Sequence, residues 1–294
     1  MKVKIYRWRK WIPARHAIVM VLGALAGCNV IPQPDSAPDD IGKIPRHFVT
    51  VAPALDQQVS YLVGQEGAGR RIIFVHGTPG SASGWADYIT MSGIDDAEII
   101  AIDRPGFGES NNQGAVVPLE KQAQALQPFL DNIDGKKPIL VGHSLGGPIV
   151  AKAAAMYPDS VGALLIMAGS LDPALEKIHW AQPIGDFAPI RAILPGKIAN
   201  ANSELLGLKP ELEILQDQLA SLCLPVTILH GDDDELVPVE NVDFMVRHMV
   251  NAKIDVTILT GVNHFLPWHS KSHVDEILQK LHSALDTAPM DPCP

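Results

Sequence analysis

The sequence predicts an α/β fold, a mostly parallel twisted sheet of about eight strands with helices on both faces. Three observations carry that expectation. Short apolar runs alternate with helical stretches over most of the chain. One run, Ile139-Leu140-Val141, is apolar throughout, as a strand covered on both faces is. It leads directly into Gly142-His143-Ser144-Leu145-Gly146 and then an Ala-rich helix over Ile149–Met156, so that strand, tight turn and helix follow one another without a linker.

Taken in order, His47–Ala52 and Gln58–Val63 read as two strands joined by a turn, and Arg71–Val75 as a third. Ser83–Met91 reads as a helix. Glu98–Ile102 is a strand that ends at Asp103-Arg104-Pro105-Gly106-Phe107-Gly108. Leu119–Asn132 reads as a helix, with Leu126, Phe129, Leu130 and Ile133 on one face. After the Ala-rich helix comes a strand over Val161–Met167. Residues 170–222 then break the alternation. Pro225–His230 resumes it as a strand, Val239–Val250 is a helix, Ile254–Leu259 the last strand, and Val274–Leu285 the closing helix.

Gly142 to Gly146 matches G-x-S-x-G, in the strand-to-helix setting that a nucleophile elbow requires. The turn is crowded, so side chains at Gly142 or Gly146 would collide with neighbouring backbone. It aims the Ser144 hydroxyl into open space. It also places the Leu145 N–H at a helix N-terminus, where it faces developing negative charge.

With these motifs in place, the chain resembles the α/β-hydrolase family from about residue 46 to 286. The segments that carry the resemblance are His76-Gly77-Thr78-Pro79-Gly80, Asp103 to Gly108, Gly142 to Gly147, Gly231 to Pro238 and Gly261 to His264, in the family's order and spacing. The resemblance implies Ser144 as nucleophile and residues 170–222 as a helical cap insertion. A serine hydroxyl needs a base. His264, on the loop after the last strand, fits that role; His269 and His273 compete and are expected at the surface. Asp232, Asp233 and Asp234 all follow a strand and can orient the imidazole. The family pattern G-x-x-D-x-x-V-P, set by Gly231 and Val237-Pro238, implies Asp234, with Asp172 as the alternative acid. Leu145 supplies one oxyanion N–H. Pro79 has none, which leaves Gly77, Thr78 and Gly80 for the second, and the resemblance implies Thr78. His76 and His143 are expected to brace loops, and Asp103 and Arg104 to be structural.

A serine nucleophile points to acyl transfer to water, hence a serine hydrolase of small-molecule carboxylic esters. Family members that open epoxides or displace halide carry Asp at this position. Trp85, near the oxyanion turn, and Trp180, with Phe187, Ile190, Ile193, Leu194 and Leu205 of the cap, are candidates to line an acyl pocket or to pack the cap's own helices. An amide-cleaving, aminopeptidase-like enzyme would need acidic cap residues, for which Glu176, Asp186 and Glu204 are present. A binding scaffold on the same fold has no need of an intact triad. The spacing of His264, His269 and His273 fits no common ligand set, so neither metal nor cofactor is expected.

The chain has 294 residues, 47% of them hydrophobic, and a net charge of −10. That suits one globular domain and gives no basic footprint for nucleic acid. Six cations and no acid fall in the first 27 residues; without them 17 cations face 33 acids, a charge of −16. This stretch reads as a signal peptide with an apolar core of 11 residues from Ala17 to Gly27, too short to span a bilayer. Leu25-Ala26-Gly27-Cys28 resembles the lipobox of bacterial lipoproteins. The resemblance implies cleavage before Cys28, lipidation of Cys28 and membrane anchoring; Asn29 at the next position implies the outer membrane in a Gram-negative cell. Residues 28–45, with Pro32, Pro34, Pro38 and Pro45, form an extended tether, and 287–294 a C-terminal tail. Cys223 and Cys293 could pair in an exported protein. Cys223, flanked by Leu222 and Leu224, is instead expected to be a small buried hydrophobe.

Overall fold

The computed structural model describes residues 3–6, 41–51, 55–90, 93–110, 114–131 and 135–287. Cys28, most of the leader, residues 29–40 of the tether and the C-terminal tail beyond 287 lie outside them. The end of the stretch read as an extended tether instead forms a turn at Ile41–Lys43 and buries Ile44 in the core, because its side chain is apolar. The strands are β1 (Val3–Tyr6), β2 (Arg46–Val51), β3 (Gln57–Val75), β4 (Ala97–Ile102), β5 (Ile139–His143), β6 (Ala163–Met167), β7 (Pro225–Gly231) and β8 (Lys253–Leu259). The helices are α1 (Ala86–Thr90), α2 (Leu119–Gln124), α3 (Gly146–Met156), α4 (Ala181–Asp186), α5 (Ala188–Arg191), α6 (Gly196–Gln216), α7 (Asn241–His248), α8 (Leu266–His269) and α9 (Lys271–Thr287).

All eight strands join one sheet in the order β1-β8-β7-β6-β5-β3-β2, with β4 on β3. The pairs from β5 to β8 are parallel, and β2 with β3 is antiparallel. Two strands expected within 58–75 form one continuous extended run. It meets β4 twice: Tyr61 to Gly64 register with Ile102 back to Ile99, and Arg71 to Val75 with Glu98 forward to Ile102. Between the two stretches, positive φ at Gln65 (54°) and Gly67 (78°) lets the chain change course without leaving extended structure. Val3–Tyr6, inside the stretch read as the leader, pairs in parallel with β8.

Every residue of β5 is buried, and its side chains alternate between two cores. Leu140 packs on one face with α3, α6 and α7 through Ile149, Leu212 and Met245. Ile139 and Val141 pack on the other with α1, α8 and α9 through Tyr88, Leu266 and Leu278. The sheet is thus covered on both faces, as the uninterrupted apolar run requires. Residues 170–222 contain α4, α5 and α6, inserted between β6 and β7.

Cys223 departs from expectation. It is half-buried and disulfide-bonded. The reason is alternation in extended backbone at the entrance to β7. Leu222 and Leu224 point inward at 1% and 6% exposure, which turns Cys223 outward, where a partner can reach it.

Candidate active site

The candidate groups lie just beyond the carboxyl ends of β3, β5, β7 and β8, where open α/β sheets bind their ligands. Ser144 is the first residue after β5 and holds φ at 56°, a left-handed conformation rare outside glycine. Neighbouring bonds fix it there: its N–H donates to Met167 O (3.0 Å), and its carbonyl accepts from Gly147 N (2.9 Å) and Ser170 N (3.4 Å). The expected crowding is present. A Cβ on Gly146 would run into Val75 O, and one on Gly142 into Gly146 O. Gly77, on the turn after β3, approaches so closely that a Cβ there would lie 2.7 Å from Ser144 Cβ. Thr78 and Leu145 therefore flank the serine from two sides.

The candidate acid and base are joined. His264 Nδ1 donates to Asp234 Oδ2 at 2.8 Å, and both residues are buried. Asp234 Oδ1 accepts from Leu236 N (2.9 Å) and Val237 N (2.8 Å), so the turn that bears the aspartate clamps its carboxylate. Burial pushes this carboxyl up, but the hydrogen bonds from His230 and His264 outweigh it and hold the group well below the usual carboxylate range. Its neighbours do other work. Asp232 and Asp233 are exposed, and Asp232 Oδ1 accepts from Gly261 N (2.6 Å) to brace the turn. Asp172 Oδ1 accepts from Ala174 N (2.8 Å), a local turn bond. His269 and His273 are exposed. Among the described residues no group of His, Cys, Asp or Glu could hold a metal, and Ser144 Oγ makes no hydrogen bond; in ligand-free sites such contacts are often long and tighten with substrate.

His143 and His76 brace loops. His143 Nε2 donates to His264 O (2.9 Å), tying the loop of His264 to the residue before Ser144. Burial, then the nearby His264, pulls His143 down to about 3, so its ring is neutral. His76 Nε2 accepts from Arg104 N (3.1 Å), which leaves Nδ1–H to donate to Gly77 O (2.7 Å). Burial, then Arg104, holds His76 well below the usual imidazole range.

Arg104 does more than a general structural role implies. Fully buried, it donates from Nη2 to Gly77 O (2.9 Å) and pairs with Glu204 of α6 at 2.7 Å and 3.1 Å. The oxyanion turn is thereby bolted to the cap. Glu204 also accepts from Gln122 Nε2 at 2.7 Å. Nothing in the spacing of Arg104, Gln122 and Glu204 signals that they meet. Replacing Glu204 with Ala strands a guanidinium in the interior and should cost about 3–5 kcal/mol. Denaturant unfolding reads the loss; a change below about 1 kcal/mol would show that the pair is not buried in solution.

Trp85 and Trp180 lie in different surroundings. Trp85 is fully buried beneath the site, stacked on Trp268 (5.6 Å between ring centres) and edge-on to His143. Trp180 is 67% exposed on the cap. The apolar character that suggested ligand contact in Trp85 serves the core.

A family model described as alpha/beta hydrolase fold matches residues 70–192. The chain is 26% identical over 253 residues to a 2-hydroxy-6-oxononadienedioate/2-hydroxy-6-oxononatrienedioate hydrolase of a Pseudomonas species, covering 71% of this chain and 85% of that one. It is 24% identical to a pimeloyl-[acyl-carrier protein] methyl ester esterase of Pseudoalteromonas atlantica, covering 67% and 88%. Among solved structures, the epoxide hydrolase CorEH superposes with a TM-score of 0.65 at 18% identity, covering 82% and 99%. The fold is that of the α/β hydrolases.

Proposed function

From an α/β-hydrolase fold with this constellation at its strand ends, we propose that the chain is a serine hydrolase of carboxylic esters. The 2.8 Å bond between Asp234 and His264, beside a serine held at positive φ, carries the reading. His264 Nε2 takes the proton from Ser144 Oγ as the oxygen attacks the ester carbonyl carbon. The tetrahedral oxyanion is met by the N–H groups of Leu145 and Thr78. The C–O bond breaks, the alcohol leaves with the proton from His264, and water resolves the acyl-Ser144 by the same route. Labelling by a fluorophosphonate probe tests the reading; an unlabelled serine in folded protein rejects it. A panel of acyl esters of graded length then defines the substrate.

One observation favours a second reading, cleavage of amides that bear a free amine. Of Glu176, Asp186 and Glu204, Glu204 is committed to Arg104 and Asp186 pairs with Arg191 at 2.6 Å. Glu176 instead sits on the hydroxyl of Ser170, whose N–H reaches the carbonyl of Ser144. Burial pushes the Glu176 carboxyl up, and the Ser170 bond opposes it. Glu176→Gln should leave KM for neutral esters unchanged. A rise in KM confined to aminoacyl amides would select the second reading.

The proposal extends to location: export, cleavage before Cys28 and a lipid anchor there. The disulfide at Cys223 supports an oxidising compartment. Lipidation consumes the Cys28 thiol, which leaves Cys293 to pair with Cys223. Stable anchoring takes more than one acyl chain, so Cys28→Ser should move the protein out of the membrane fraction or leave it unprocessed. A processed variant that still sediments with membranes defeats this part of the proposal. Non-reducing peptide mapping identifies the partner of Cys223.

A further inference from the structure

β7 reads Pro225-Val226-Thr227-Ile228-Leu229-His230-Gly231, and His230 is fully buried. The reaction as described does not use it. Its Nε2 lies 2.9 Å from Val237 O and 3.5 Å from Asp234 Oδ2. A carbonyl and an ionised carboxylate only accept, so Nε2 carries the hydrogen. The other ring nitrogen, Nδ1, is buried and has no partner among the described residues. Leaving a buried polar atom unpaired is costly. A leucine would fill the position without that cost, so packing does not explain an imidazole here. The same Nε2, however, lies 3.5 Å from the carboxylate that orients the base.

We propose that His230 is a positioning residue for the reaction. Its Nε2–H, shared between Val237 O and Asp234 Oδ2, fixes the rotation of the Asp234 carboxylate. Oδ1 is then held on the amides of Leu236 and Val237, and Oδ2 on His264 Nδ1. The 2.9 Å bond to Val237 O ties the ring to the same turn, so strand, turn and carboxylate move as one piece. The titratable groups around the ring are Asp234 from the turn after β7, His264 from the loop after β8, and His143 from the end of β5. The proposal rests on the serine-hydrolase reading.

The test compares His230→Gln, His230→Asn and His230→Leu in the full chain. A glutamine amide nitrogen falls near the place of Nε2, whereas an asparagine amide falls near Nδ1 and cannot reach the carboxylate. Leu and Asn should lower kcat on one soluble ester roughly tenfold, the effect of one hydrogen bond to a charged group. KM should stay within about threefold, and Gln should recover most of the loss. Proton NMR supplies a readout that packing alone does not move. The downfield resonance of the His264 Nδ1 hydrogen should shift in the Leu and Asn variants and return towards wild type in Gln. Should Leu fail to fold, the Gln and Asn pair, alike in polarity, preserves the contrast. Equal losses in all three with an unmoved resonance, or wild-type rates in all three, overturn the proposal. A wild-type protein that neither turns over esters nor labels at Ser144 defeats the hydrolase reading instead, and the resonance still decides whether His230 holds Asp234.

Discussion

Ser144→Ala should lower kcat on small esters by roughly 10⁶-fold, the loss seen when a triad nucleophile is removed, and leave the domain folded. The substitution removes the only atom placed to attack, so no partial route through an acyl-enzyme survives. The fold loses little. Ser144 is positioned by its backbone, through bonds to Met167, Gly147 and Ser170 that alanine keeps. A methyl group needs no more room than the hydroxymethyl it replaces, although alanine must accept the same positive φ. Initial rates on a soluble chromogenic ester, with circular dichroism as the control for folding, decide the matter. Activity within tenfold of wild type would sink the serine mechanism.

Asp234→Asn should lower kcat by about 10² to 10⁴, with the upper figure set by the same exchange in a comparable triad. The geometry shows how. The Asn oxygen can keep the bonds that Oδ1 accepts from Leu236 and Val237. The amide nitrogen then faces His264 Nδ1, donor against donor. The imidazole relieves this by moving its hydrogen to Nε2, the nitrogen that must accept the Ser144 proton. The negative charge that stabilises the imidazolium is lost as well. Asp232→Asn should stay near wild type, because an amide oxygen still accepts from Gly261 N. Asp233→Asn should do the same, since its side chain is exposed. Measuring kcat for all three on one ester checks the assignment. If Asp233→Asn is the crippled variant, or none is, Asp234 is not the acid.

The architecture was legible because the strands that carry the site are apolar and short, and each ends in glycine-rich sequence. Asp234 was legible because Val237, whose N–H the carboxylate accepts, fixes its register. The helix read over 119–132 proved to be α2 followed by a separate turn at Gln127–Phe129, because Pro128 cannot continue a helix. The cap was opaque for a different reason. Asn200, Glu204, Gly207 and Glu211 recur at helical spacing on α6, yet this stripe is polar and faces inward. Its partners are Gly106 O, Arg104, Val117 and Leu119 N. A reading that looks for apolar faces passes over a helix whose inner face carries such a stripe. Trp85 failed in the opposite sense: a large aromatic near the site proved to be core. His230 gave no signal, because one histidine in an apolar strand looks the same whether it packs or points at a carboxylate.

That inward stripe on α6 has a consequence for how substrate comes and goes. Lifting α6 would break the Arg104–Glu204 pair, the Asn200 bond to Gly106 O (2.7 Å) and the Glu211 bond to Leu119 N (2.9 Å) together. It would also release Gly77 at the oxyanion turn, since Arg104 holds both. Any motion of the cap that keeps these bonds intact has to spare α6. On the side of α4 and α5, Asn202 Nδ2 donates to Gln182 O (2.9 Å) in a part-buried bond, and Ile184 and Phe187 face solvent.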